Sequence, residues 1–140
     1  MRISHLLIGL LILVMSSSVW SEVFIVVSKD SDISNLSQKE VTDIYMGRTQ
    51  SFPNGSLAFP LDQAAQSRVR ENFYKILVNK TPAQINAYWS RLLFTGRASP
   101  PRVISDPALL LSAIEQNRSA IAYVDGSMLS NSVKVVAHVK

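Results

Sequence analysis

Leu57–Leu77 reads LAFPLDQAAQSRVRENFYKIL. A short apolar run closes on Pro60 and Asp62, a small polar segment follows, and a basic amphipathic helix then carries Ser67, Arg68 and Arg70. A strand that feeds a helix N-terminus is a place to hold an anion. The first backbone N–H groups have no partner inside the helix, and the helix dipole favours negative charge there. The apolar face predicted for this helix holds Ala65, Val69, Phe73, Ile76 and Leu77.

Where the helix begins decides the chemistry. With Asp62 as N-cap, Ser67 lies inside the helix and points about 160° away from Val69. Ser67, Arg68, Arg70 and Glu71 are then an ordinary wet surface. With a start near Ser67, and Gln63–Gln66 as loop, the Ser67 hydroxyl and the first free N–H groups converge on one point, and Arg68 or Arg70 adds charge. Local propensity favours the early start, because Gln-Ala-Ala-Gln is good helix sequence and Asp is a good cap.

Working outward, Glu22–Ser28 (EVFIVVS) is a continuous β-branched and aromatic run, the pattern of a strand buried on both faces by helices. Ser37-Gln38-Lys39-Glu40 is a capping box, and its helix buries Val41, Ile44 and Tyr45 before stopping at Gly47. Arg48–Ser56 is a turn-rich loop in which Phe52 packs down, and Leu57–Leu61 is the second strand. Thr81-Pro82-Ala83-Gln84 opens a helix whose stripe is Ile85, Tyr88, Trp89, Leu92 and Leu93. A short strand at Arg102–Ser105, a helix after Asp106-Pro107, a buried strand at Ala120–Val124 and a more peripheral one at Val133–Val139 complete the chain. The order β-α-β-α-α-β-α-β-β predicts an α/β fold with a mainly parallel sheet covered by helices.

At 140 residues the chain is one domain's worth. Met1–Ser21 reads as a secretory signal: Arg2 is the positive start, Leu6–Val14 the apolar run, and Val19-Trp20-Ser21 the small-residue exit. The apolar run is shorter than the roughly 20 residues a membrane span needs. The domain is then 22–140, with no membrane segment in the mature form. Losing Arg2 takes the basic count from 14 to 13 against 10 acidic residues, a mild and scattered excess unlike the dense stripe of a nucleic-acid binder. With no cysteine there is no disulfide, thiol catalysis or lipid-modified cysteine, so the apolar core alone holds the domain.

Residues for catalysis are few. The two histidines are His5, in the signal segment, and His138, near the C-terminus, which is a poor basis for a Ser-His-Asp arrangement. No His, Asp or Glu cluster has ligand spacing for a metal. Asp30 and Asp32 read as turn formers. Neither a G-x-G-x-x-G nor a P-loop is present, so no cofactor is expected.

Four segments, in order, carry a family likeness. They are VVSKDSDISNLSQKEVTDIYMGR (26–48), ending in Ile44-Tyr45-Met46-Gly47; the aromatic-Pro-Asn-Gly loop Phe52–Gly55; the strand entering the Ser67 helix with Phe73; and the Trp89 helix, followed later by AIAYVDG (120–126). In these the chain resembles the phosphate-binding proteins of ABC transporters, in the type II periplasmic-binding-protein superfamily, and specifically one of their two lobes. The resemblance implies a single three-layer lobe. In the family the helix entrance carries an Arg and then Ser-Gly-Thr around phosphate. Counting back from Phe73, Ser67 falls at the Ser, Arg68 at the Gly, Val69 at the Thr and Gln63 at the Arg, so one of the four positions is kept. The Gly-to-Arg change removes the residue that lets backbone approach a ligand closely.

About 120 residues make only one lobe. An anion held there stays wet on one side, where its contacts are screened. The resemblance thus implies a secreted, periplasmic, non-enzymatic domain for phosphate uptake or sensing. It would bind phosphate or a similar oxyanion weakly, or with a partner's help, through Ser67, Arg68 and Arg70, with Gln63 secondary. The alternative is an interaction module of the same fold that has lost its ligand and docks another protein, or a second copy, through the open lobe face.

Overall fold

The run at Glu22–Ser28 forms β1 (Val23–Ser28), and its unbroken apolar character has a structural cause, since helices cover both of its faces. The computed structural model describes residues 22–140; the predicted signal segment lies outside them. After β1 come α1 (Gln38–Tyr45), β2 (Phe59–Asp62), α2 (Arg68–Val78), α3 (Pro82–Thr95), β3 (Arg102–Val103), α4 (Pro107–Gln116), β4 (Ala120–Val124) and β5 (Val133–Val139). This is the predicted order of elements.

Local chemistry sets the helix ends. Ser37 accepts from the Glu40 N–H while Glu40 accepts from the Ser37 N–H, and Thr81 and Gln84 repeat the arrangement at α3. Asp106 caps α4, with Pro107 in the first turn.

The five strands lie in the order β3-β2-β4-β1-β5. β2 is parallel to β3 and to β4, whereas β1 is antiparallel to both β4 and β5. The sheet is therefore mixed: β1 alone runs against the other four. Four strands sharing one direction agree with the expected mainly parallel sheet. The reversed direction of β1 is not legible in the sequence, because a strand buried on both faces reads the same either way.

Alternation along β1 divides the core. Val23, Ile25 and Val27 face α1, α2 and α3 with Ile121 and Tyr123 of β4, while Val26 faces α4 with Ala120, Ala122 and Val124. The Tyr45 hydroxyl lies 2.9 Å from the Leu61 carbonyl and 3.0 Å from that of Ile121, so it ties α1 to β2 and β4.

At the end of α1, Gly47 adopts φ +72 beside Trp89, and the Tyr88 hydroxyl donates to the Met46 carbonyl at 2.6 Å. Phe52 and Trp89 are both buried, as predicted. A Cβ on Gly47 would stand 2.8 Å from the Trp89 ring. Gly47→Ala is therefore expected to destabilise by about 2–4 kcal/mol, from backbone strain plus the clash. Gly55→Ala, at φ +84 with nothing within 4 Å, should cost only about 1–2 kcal/mol. Urea unfolding of the two variants measures the difference, and equal losses would show that Trp89 packing contributes nothing.

Candidate functional site

β2 ends at Asp62, which is buried at 3 % exposure, and its side chain does not cap a helix. Its Oδ2 accepts from the Tyr74 hydroxyl at 2.8 Å. Its Oδ1 accepts from the Tyr123 hydroxyl and, at 2.8 Å, from the Gln63 N–H, which also points at Tyr123 Oη at 3.1 Å. The Arg70 Nε stands 3.3 Å from the same Oδ1 as an ion pair. Tertiary partners thus claim the carboxylate that local propensity would assign to an N-cap. Gln63–Gln66 is consequently non-helical, and α2 begins at Arg68.

Ser67 is the N-cap of α2. Its Oγ accepts from the Arg70 N–H at 3.2 Å and donates to Gln63 Oε1 at 2.8 Å. Gln63 in turn donates through Nε2 to the Tyr123 carbonyl at 2.8 Å. Together they form a latch from β4 through Gln63 to the mouth of α2. The Arg68 and Val69 N–H groups, next in the helix, have no hydrogen-bond partner among the described residues.

Of the four residues singled out in the sequence, Gln63 and Ser67 touch, half-buried, and Arg68 is exposed beside them. Arg70 is not on the wet face. It is 6 % exposed, its guanidinium lies 5.1 Å from the centre of the Tyr74 ring, and its Nε and Nη1 are buried without a hydrogen-bond acceptor. The buried face of α2 is Arg70, Phe73, Tyr74 and Leu77; Val69 and Ile76 flank it, while Ala65 is exposed and precedes the helix. Asp62, Tyr74 and Tyr123 escape the sequence reading. The available signal is that Arg70 stands at helical spacing from Phe73, Tyr74 and Leu77, within an apolar stripe.

Burial, reinforced by the charge on Asp62 and the hydrogen bonds to it, pushes the Tyr74 and Tyr123 hydroxyls far above the ordinary tyrosine range. Tyr45 is raised as well, chiefly by burial. Elsewhere, His138 stacks on Phe24 with ring centres 4.7 Å apart and stands 3.7 Å from Glu22. Among the described residues, no group of three or more acidic, histidine or cysteine side chains could hold a metal, and no helix is long and apolar enough to cross a membrane.

No protein-family model matches the chain, and no curated protein sequence does. Solved structures do match. An ABC-type phosphate transport receptor from Vibrio cholerae superposes with a TM-score of 0.65 at 15 % identity, over 83 % of this chain and 45 % of that one. PstS from Borrelia burgdorferi superposes with a TM-score of 0.62 at 13 % identity, over 84 % of this chain and 47 % of the other. The fold is that of a periplasmic-binding-protein lobe, and the chain spans less than half the length of these structures.

Removing the Asp62 carboxylate by Asp62→Ala leaves Arg70 buried without its counter-charge and should cost about 3–5 kcal/mol. Tyr123→Phe, which removes one hydroxyl from the cluster, should cost about 1–3 kcal/mol. Chemical denaturation checks both, and equal losses would mean that the ion pair contributes no more than one hydroxyl.

The buried tyrosines also set a pH dependence. The folded state keeps their protons where the unfolded chain, with ordinary values of about 10, loses them. Their contribution is complete below about pH 10 and falls as pH rises above it. Absorbance at 295 nm should show tyrosine ionisation accompanying loss of the folded circular-dichroism signal. Ionisation of Tyr45, Tyr74 and Tyr123 in a still-folded chain would contradict this.

Proposed function

We propose that this domain binds phosphate or a related oxyanion weakly at the mouth of α2, in a periplasmic uptake or sensing role, with a partner covering the open side. The observation that carries the reading is the late start of α2. A non-helical Gln63–Gln66 puts Ser67 at the N-cap and leaves the Arg68 and Val69 N–H groups facing outward from the helix dipole's positive end. The Arg68 side chain, exposed beside them, supplies charge. Arg70 contributes from behind, as a fixed positive group paired with Asp62. The likeness to phosphate-transport receptors supports the same ligand class, and nothing in the cluster has the arrangement of a catalytic site.

Affinity is set by the latch. The Ser67 hydroxyl proton is engaged by Gln63, so an anion must either displace the Gln63 amide or make do with two backbone donors and one exposed guanidinium. Charges in contact with water are strongly screened. The same latch favours a second reading, in which the lobe has lost its ligand and serves as a periplasmic interaction module.

Isothermal titration of the purified protein with phosphate and with sulfate separates the two. The anion reading expects millimolar binding, weakened several-fold by Arg68→Ala and strengthened by Gln63→Ala, which frees the Ser67 hydroxyl. Heat that is unchanged in Ser67→Ala and Arg68→Ala would place the anion elsewhere. No heat at tens of millimolar ligand would leave the interaction module.

A further inference from the structure

A second surface lies at the start of β2, whereas the α2 mouth follows its end. A cavity of about 470 Å³ runs between the Leu57–Pro60 segment and the loop from α3 to β3. It shares no residue with the Gln63, Ser67 and Arg68 cluster. Leu57, Phe59 and Leu93 stand on its walls, and Leu57 and Leu93 are 59 % and 52 % exposed. Phe94, next in the chain, is 94 % exposed, and Val103 on β3 is exposed as well. Leu57, Phe59 and Leu93 thus share one concavity instead of being scattered singly, and such a grouping marks a surface that something covers.

The charge at this groove has one sign. Arg97 and Arg102 line it, Arg91 lies on α3 outside the lining, and no acidic residue is among the lining residues. None of the three arginines has an ion pair or a side-chain hydrogen bond to a described residue, although Lys39, Arg48 and Arg118 all find aspartates. Pro100 and Pro101, with φ fixed by their rings, form the wall between the two lining arginines. β3 is an edge strand, with β2 as its one neighbour in the sheet. An extended chain can therefore lie along the groove without displacing any existing strand.

We infer that this groove docks an extended segment of a partner protein that alternates acidic with apolar residues. Its carboxylates pair with Arg97 and Arg102, and its apolar side chains seat against Leu57, Phe59 and Leu93. The lining apolar side chains lie within a concavity, which favours a segment over a lipid surface; Phe94, exposed beside it, is not among the lining residues. A second copy presenting this same face would set arginine against arginine. The inference goes beyond the oxyanion reading and holds whether or not the α2 site is occupied.

The test is an amide chemical-shift titration of the ¹⁵N-labelled protein with a short blocked peptide alternating Asp and Glu with Leu and Phe. A matched peptide carrying Lys in place of the acids is the control. Expected are saturable shifts at 57–60 and 97–102 for the acidic peptide alone, at sub-millimolar Kd. The double variant Arg97→Glu/Arg102→Glu should lose at least tenfold in affinity for the acidic peptide and gain binding of the Lys peptide. Arg97→Lys/Arg102→Lys should retain most of the affinity. Both arginines are exposed, so the fold is not at stake.

Four results would overturn the inference. The two peptides could bind alike, or neither could bind at millimolar concentration. The protein could instead co-sediment with vesicles of phosphatidylcholine and phosphatidylglycerol through these arginines without binding peptide. Or sedimentation could show that this face closes a dimer.

Discussion

The buried carboxylate of Asp62 is the constraint around which the centre of the domain is arranged. Moving a charged group out of water is tolerable only when partners surround it. Here two tyrosine hydroxyls, one backbone N–H and one guanidinium do so. Those partners come from β4, α2 and the residue after β2. Satisfying one side chain therefore fixes the position of the sheet, the helix and the loop between them. The aromatic packing follows the same centre: Phe73 stacks on Tyr123 with ring centres 4.0 Å apart, and Tyr45 and Tyr74 meet these rings edge-on. A polar knot has been built into an apolar layer, and it specifies which way α2 turns.

That orientation reaches the surface through Gln63. Its backbone N–H serves the Asp62 cluster while its side chain joins the Tyr123 carbonyl to the Ser67 hydroxyl. The mouth of α2 is thereby held by the interior, and the donors still free there are backbone groups whose direction the helix sets. A ligand at that place would meet a rigid but sparse receptor. Arg70 illustrates the same economy from the other side. It supplies charge without exposure, and two of its nitrogens lack acceptors in an environment where that is costly.

Much of the fold is legible because local rules agree with the tertiary structure. The capping boxes at Ser37 and Thr81, the Asp106-Pro107 start, the Gly47 stop and the apolar runs of β1 and β4 all specify their elements within a few residues. Strand direction is less legible, because side-chain alternation carries no arrow. The start of α2 misleads for a definite reason: Asp62 has the right chemistry for a cap, and only the distant Tyr123 and the downstream Tyr74 and Arg70 reveal that it is needed elsewhere. Arg70, named from the sequence as a wet contact, is buried instead by the same logic, since a charged residue on an apolar stripe is read as exposed unless its counter-charge is already known. The Ser67 N-cap is visible as one of two alternatives, and the Asp62 cluster, a contact between remote segments, decides between them.

The antiparallel insertion of β1 has a consequence for how the chain reaches this state. Phe24 pairs with Val124, and Val23 pairs with Val139, so both ladders of β1 join segments about a hundred residues apart. The helices can form as soon as their caps are made, but the β1 ladder cannot close until β4 and β5 are present. Loop closure over such a span is entropically unfavourable before any sheet contact compensates it. The topology therefore predicts a late, concerted zippering between early and late parts of the chain as it folds. A fragment lacking β5 would leave one edge of β1, an apolar strand, open to pairing with whatever other strand it met.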